Sequence, residues 1–581
     1  MNFKVTGGNP GAKITLNERR MDDGVLAVDV RMELPFAEIP EMFTISWDIP
    51  IVDCYSTWSP SIRDGRSLGV DWAKKTTDAR LASWMPVHAL ISMSGRNRLT
   101  IAISDAALPT RIGTGVVEES ACFRCDASFF TLPTTPITEY SAVLRLDTRD
   151  IPYWDSIYDV VNWWEHKCGY DCAHVPEYAR LPMNSLWYSF HQELDVPEII
   201  RQCELSKPLG MDTVIVDDGW QTDDNSRGYA YCGDWEVAAS KIPDMKDFAD
   251  QVHRTGMKLM IWYSVPFVGI HSEAYKRFRD KVLDNPRLAE DLGCYSLDPR
   301  YREVREYLAD IYARAVRDWG LDGLKLDFID SFALQGRSLE PDDRRDYPSL
   351  EDAVDALMRE VTDKLTAINP EILIEFRQSY VGPTIRRYGN MLRVGDCPND
   401  GCRNRQDVVN LRLTSGRTAV HSDMLMWSLK DTPESVGLQL ASILYSVPQI
   451  SVRIDELPAG QYKTLRYYLR FWREHRELLL DGKLTADNPE TGYSRVRSEL
   501  DGRAVVTLYD NPVADAARDE LIAVNATGRE QLLFRGCGGR VYRTVDCTGE
   551  TVEAGVLPES DITELRVPVA GMVFVGGKKA E

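Results

Sequence analysis

Basic residues are in short supply in this 581-residue chain: Lys and Arg total 68 against 89 Asp and Glu, a formal charge of −21 at pH 7. A surplus of negative charge repels phosphate backbones and anionic headgroups, so neither nucleic acid nor a membrane surface is an expected partner. Long apolar runs are missing as well. No stretch approaches the roughly 18 residues of a bilayer span, and the opening MNFKVTGGNPGAK has no apolar signal core, so a soluble, cytoplasmic protein is expected. The GxGxxG turn of a doubly wound dinucleotide-binding sheet is absent. Twelve cysteines are scattered rather than spaced as a disulfide framework. Cys122 and Cys125 form one close pair, and Cys168 and Cys172 another, flanked by His166 and His174. Neither has the paired-knuckle spacing of a zinc site, so buried thiols are expected and no metal or other cofactor is called for.

What is present is a large apolar fraction, 44%, with 14 tryptophans, enough for several cores. Up to about residue 150, short alternating segments such as GVLAVDVRMEL and RLTIAISDA suggest an antiparallel sandwich. From residue 182, strand-length apolar runs alternate with stretches of helical period. The strand candidates are 182–190, 212–220, 258–265, 323–329, 371–378, 391–396, 419–427 and 448–454, the number and rhythm of a (β/α)₈ barrel. From about 485, alternation returns in RAVVTLYD and ELIAVNA. The expected domains are an N-terminal β-sandwich over 1–175, a (β/α)₈ TIM barrel over 176–482 and a small antiparallel β-domain over 483–581.

Barrel enzymes carry their chemistry where strands run into βα loops. Polar residues interrupt these strand ends repeatedly: Asp217, Asp218 and Trp220 on the second, Trp262 on the third, Lys325 and Asp327 on the fourth, Arg377 and Gln378 on the fifth. Asp396 follows on the sixth, His421 and Asp423 on the seventh, Arg453 and Asp455 on the eighth, and of these Trp220, Arg377, Gln378, His421 and Asp423 are expected to join in binding substrate. In GLDGLKLDFID the period of two puts Lys325 and Asp327 on the barrel side. Two buried charges are either an internal ion pair or chemical groups, Asp327 meeting a cationic carbon and Lys325 keeping it ionised. Glycoside cleavage needs a second carboxyl. MLRVGDCPNDG offers Asp396 and Asp400, and strand-end position favours Asp396. In VIVDDGWQ, two carboxylates and an indole suit sugar hydroxyls and a pyranose face, although a calcium-binding turn or a plain turn fits the same letters.

DDGWQ, GDWEVAASKIPDMKDFADQVHRTGMKLMIW, YSLDPR and GLDGLKLDFID resemble, in order and spacing, the barrel of family 36 glycoside hydrolases, the α-galactosidases and their raffinose-synthase-like relatives. The resemblance covers about residues 182–455. It implies a sandwich, a catalytic barrel and a C-terminal β-domain, and retaining chemistry with Asp327 as nucleophile and Asp396 as acid/base. It carries sugar contacts over to Asp217, Asp218, Lys325, Trp262 and Trp235. The chain departs from the family pattern at Leu292, where an arginine is usual, at EFRQSYVGP in place of a Cys-Ser-Gly-Gly turn, and at GDCPND. Gln221 after DDGW is closer to the raffinose synthases.

The expected function is retaining hydrolysis of terminal α-galactosides, on a small-molecule or oligosaccharide substrate, by a chain that forms a homo-oligomer or acts alone. Transglycosylation, another sugar such as an N-acetylgalactosaminide or acidic sugar, and an inactive carbohydrate-binding protein are the alternatives.

Overall fold

The computed structural model describes residues 1–62 and 66–578. In its first part, alternation along each strand turns one face inward. Cys122–Phe129 buries Phe123, Cys125, Ala127 and Phe129 against Phe43, Ile45 and Trp47. Antiparallel sheets of five and six strands close over this core as a sandwich. Helix α1, Tyr153–Lys167, then carries the chain away, burying Tyr153, Ile157, Val160 and Trp164.

The eight strands of the barrel are β1 (Met183–Ser185), β2 (Thr213–Val216), β3 (Lys258–Ser264), β4 (Gly323–Asp327), β5 (Leu373–Arg377), β6 (Met391–Arg393), β7 (Ala419–His421) and β8 (Gln449–Ile450). They pair in parallel in the order β7-β6-β5-β4-β3-β2-β1-β8. Bridges His421↔Val447 and Leu425↔Ile450 bring the two ends together, so the barrel is nearly closed. The strands are shorter than the apolar runs that mark them. After β1 the chain turns into a short helix, Trp187–Phe190, and after β7 the run 422–427 leaves the ladder.

Crossover helices α2 (Val196–Ser206), α3 (Met245–Arg254), α4 (Arg302–Trp319), α5 (Leu350–Ile368), α6 (Gly401–Thr414) and α7 (Pro433–Ser442) separate the strands, and α8 (Ala459–Glu474) follows the last. Local signals set their ends. Ser349 caps α5 by accepting from Asp352 N, and Gly320 ends α4 at φ 71°. Between β5 and β6 there is no α-helix, only a 3₁₀ turn at Ile385–Arg387. The β3–α4 connection holds a three-stranded sheet, Phe267–Gly269, Val282–Leu283 and Cys294–Leu297, which alternation did not reveal.

Inside the barrel, side chains stack in layers. Met183, Ile215, Met260, Leu373, Met391 and Ala419 form an apolar floor together with Ala179. Gly323 belongs to this layer because a Cβ there would meet Leu373 O at 2.5 Å. The next layer up is polar. Strand register brings Trp262 beside Lys325, Lys325 beside Glu375, and Arg393 beside His421. Beyond the barrel, sheets of seven and three strands make the C-terminal domain. Among the described residues no helix is long and apolar enough to cross a membrane, and no cluster of three or more His, Cys, Asp or Glu is placed to hold a metal. The cysteines are free thiols.

Candidate active site

Asp327 ends β4 with its side chain 8% exposed. Its Oδ1 accepts from Phe328 N at 2.8 Å, from Arg377 Nε at 2.8 Å and from the Tyr380 hydroxyl. Its Oδ2 accepts from Trp262 Nε1 at 3.0 Å. Burial works to raise its pKa, but the charges of Arg377 and Lys325 and the Tyr380 and Trp262 hydrogen bonds prevail, and the carboxyl lies well below the usual range. The Tyr380 phenol is pushed well above its ordinary pKa, chiefly by burial and then by the Asp327 charge, so it remains a donor.

The Lys325 ammonium does not bond to Asp327. Its Nζ reaches Asp217 Oδ2 at 2.6 Å, and it acts on Asp327 only through its charge. The reason lies in the pleat: Lys325 is one layer below Asp327 and faces the end of β2 instead. Next to it, Asp218 is held by Gln192 Nε2 and Gln221 Nε2, each at 2.7 Å. Burial, reinforced by the Asp217 charge, raises Asp218 to about 6 against the two glutamine donors.

Asp396, three residues beyond β6, has a half-exposed side chain. Arg393 Nη2 donates to its Oδ1 at 2.8 Å, and Arg393 Nη1 reaches Asp423 Oδ1 at 2.5 Å. The pull of burial on Asp396 is upward, yet Arg393, Arg377 and Lys325 together hold it below the ordinary carboxylate range. Asp423 is fully buried and also accepts from Cys397 N and Tyr188 OH. It fixes Arg393 and the Asp396 turn, and no surface of it is open to a ligand. Asp400 is the cap of α6, accepting from Arg403 N at 2.9 Å, whereas Asp396 is paired with Arg393 and half-exposed. Gln378 Oε1 accepts from Gly395 N at 2.8 Å, tying the β5 and β6 ends together.

Three aromatic and imidazole residues read from the sequence as sugar contacts lie elsewhere. Trp220 is fully buried, its indole N–H bonded to Trp262 O at 2.8 Å and its ring packed among Trp235, Tyr263 and Trp319. Trp235 sits in the same stack, 4% exposed, against Trp262 and Tyr263. Both indoles pack behind Trp262, Trp220 on its carbonyl and Trp235 on its ring. His421 is in the polar layer below the site, its Nε2 facing Ala179 O at 2.8 Å and its Nδ1 near Gln449 Nε2 at 3.3 Å. Burial lowers it to about 4, so it is neutral and has no part at the barrel mouth.

The structure also brings in groups that sequence reasoning passed over. Glu375 and Arg393 stand in the polar layer, and both are charged residues inside apolar strand runs, the same anomaly that marked Lys325. Tyr380, in a loop, and Tyr188, in the short helix after β1, left no such mark. The sandwich contributes as well. Its tip places Trp84 N on Ser379 O at 2.7 Å and Ser83 Oγ on Ser379 Oγ at 3.2 Å, while Arg80 donates to the carbonyls of Asp330 and Phe332.

The family model described as melibiase matches residues 182–384. α-Galactosidase Mel36A of Lactobacillus acidophilus is 29% identical over 149 residues, which is 25% of this chain and 19% of that protein. The A type blood α-D-galactosamine galactosaminidase of Flavonifractor plautii is 27% identical over 169 residues, 26% of this chain and 14% of that one. These alignments therefore span less than a fifth of either relative. Among solved structures, the GH36 α-galactosidase AgaA of Geobacillus stearothermophilus, in complex with raffinose, superposes with a TM-score of 0.65 over 99% of this chain and 86% of its own, at 14% identity. Residues 182–384 are thus similar to the melibiases, and the chain over nearly its whole length has the fold seen in the solved family 36 α-galactosidases.

Proposed function

We propose that this chain is a retaining α-glycosidase that hydrolyses terminal α-galactosides. Asp327 is the nucleophile and Asp396 the acid/base. The observation that carries the reading is Asp327 itself: a buried carboxylate at a barrel strand end, kept ionised, with three donors on Oδ1 and an indole N–H on Oδ2. That asymmetry leaves Oδ2 as the attacking atom. Asp396 gives a proton to the leaving oxygen and then takes one from water. In the resting protein its arginine neighbours keep it ionised. It becomes an acid when bound sugar displaces water from its exposed edge, since drying favours the neutral form.

Asp217, Asp218 and Lys325 hold the sugar hydroxyls, and Trp262 walls the pocket. Ionised carboxylates accept hydroxyl hydrogen bonds more strongly than neutral ones. Since Asp218 titrates at about 6, galactose affinity weakens as pH falls through that value and is flat above it. Calorimetric titration between pH 5 and 8 reads this directly. The step disappears in Asp218→Asn, and an unchanged step there removes Asp218 from sugar binding.

The function is tested by a hydrolysis screen over p-nitrophenyl α-galactoside, α-glucoside, α-N-acetylgalactosaminide and an α-linked uronide, with NMR of the first-formed anomer. The galactoside is expected to turn over fastest and to release α-galactose first. The β-anomer appearing first would overturn retention, and preference for another glycoside would replace the sugar. Sugar binding with no turnover of any glycoside would make the chain a carbohydrate-binding protein.

A further inference from the structure

Arg377 is held on several sides at the site. Its Nε meets Asp327 Oδ1 at 2.8 Å, its Nη1 donates to Gln378 O at 2.9 Å, and its guanidinium lies 5.2 Å from the Phe328 ring and 5.8 Å from the Tyr380 ring. A cation so placed does not treat all stages of a double displacement alike. In the resting protein the carboxylate bears a full negative charge. In the glycosyl-enzyme it is a neutral ester whose carbonyl oxygen, Oδ1, is a much weaker acceptor. Arg377 and Tyr380 therefore stabilise the states on either side of the ester more than the ester itself.

Resting on the assignment of Asp327 as nucleophile, we propose that Arg377 is a positioning residue that makes Asp327 a good leaving carboxylate, so that the covalent intermediate never accumulates and its formation limits turnover. In the first step an electron pair on Asp327 Oδ2 forms the bond to the anomeric carbon. The bond to the aglycone oxygen breaks, and that oxygen takes the proton of Asp396. In the second step water forms the new bond to the anomeric carbon, the bond to Oδ2 breaks, its pair returns to the carboxylate and the water proton passes to Asp396. Arg377 opposes the loss of carboxylate charge in the first step and assists its recovery in the second.

Rapid mixing with p-nitrophenyl α-galactoside, or whichever glycoside of the screen turns over best, tests this. The unaltered protein releases p-nitrophenolate at its steady-state rate from the first turnover, and methanol as an alternative acceptor leaves kcat unchanged. Arg377→Ala slows the second step by about tenfold or more, equivalent to ~1.4 kcal/mol. It then shows a burst of about one p-nitrophenolate per site, a kcat raised by methanol, and a glycosylated Asp327 peptide by mass spectrometry. Arg377→Lys keeps the charge and gives a smaller burst. A full burst in the unaltered protein, or a foldable Arg377→Ala with neither burst nor methanol response, overturns the proposal. The first of these measurements stands even if Arg377→Ala does not fold. Failure of the nucleophile assignment has a different signature, activity retained by Asp327→Asn or β-anomer formed first.

Discussion

Asp327→Asn lowers kcat/KM by about 10⁴-fold or more, equivalent to ~5.4 kcal/mol of barrier. An amide is nearly isosteric with the carboxylate, so the pocket keeps its shape while losing the electron pair that forms the glycosyl bond. Its oxygen still accepts from Phe328 N, where Asp327 Oδ1 does so at 2.8 Å. What changes is electrostatic. Arg377 loses the partner of its ion pair and the Tyr380 hydroxyl loses a charged acceptor. Under the proposed assignment of Asp217, Asp218 and Lys325 to the sugar hydroxyls, galactose affinity is expected to remain within about threefold of the original, less than ~0.7 kcal/mol. Steady-state kinetics and calorimetric titration on the same preparation separate the two effects. Turnover within tenfold of the unaltered protein removes Asp327 from the mechanism.

The second large effect is expected below the site, at Arg393. This guanidinium is 1% exposed and serves Asp396, Asp423 and, at 3.7 Å, Glu375. Asp423 and Glu375 are fully buried. Replacing the arginine by methionine keeps the bulk but leaves buried Asp423 without its ion-pair partner and Glu375 with only the Lys325 charge, a change that costs about 3–5 kcal/mol when a buried pair is broken. Burial already raises both of these acids. In Arg393→Met they take up protons, so the variant is closest to normal stability at low pH and falls behind as pH rises. Thermal melts from pH 5 to 8 show this as a growing gap in midpoint. Asp396, freed from its nearest cation, titrates higher than before. A melt that tracks the unaltered protein at every pH would mean that Arg393 is not the counter-charge of this layer.

The fold was largely legible because barrel and sandwich are written in periodicity. The run GLKLD is buried on both faces, its period of two sending Lys325 and Asp327 to one and Leu324 and Leu326 to the other, and Ser349 and Gly320 mark helix ends by local chemistry alone. Strand length was not legible, since AVHSDMLMW stays buried after leaving the ladder at His421, and burial rather than hydrogen bonding is what an apolar run records. At the site, carboxylates stood out because a charge in an apolar strand needs a cause. Their partners did not, because pairing depends on register between distant strands. Lys325 is two residues from Asp327 in sequence but bonds to Asp217, which lies 108 residues away. The indoles were misplaced for a related reason: stacking on sugar and packing in a core use the same residue, and only the direction of the chain after DDG and GD decides between them.

The contact between the sandwich tip and the Ser379 loop alters what should count as the catalytic unit. Ser379 is the immediate neighbour of Tyr380, whose hydroxyl donates to Asp327, and its carbonyl is bonded to Trp84 N, some three hundred residues earlier in the chain. Gly382 in the same loop has no room for a side chain, since a Cβ there would lie 2.4 Å from Trp84 O. A boundary drawn near residue 175 is therefore a seam in the sequence only. Sandwich tip and barrel loop fit as one surface, so replacing either alone with a foreign counterpart is expected to disturb the backbone that carries Tyr380.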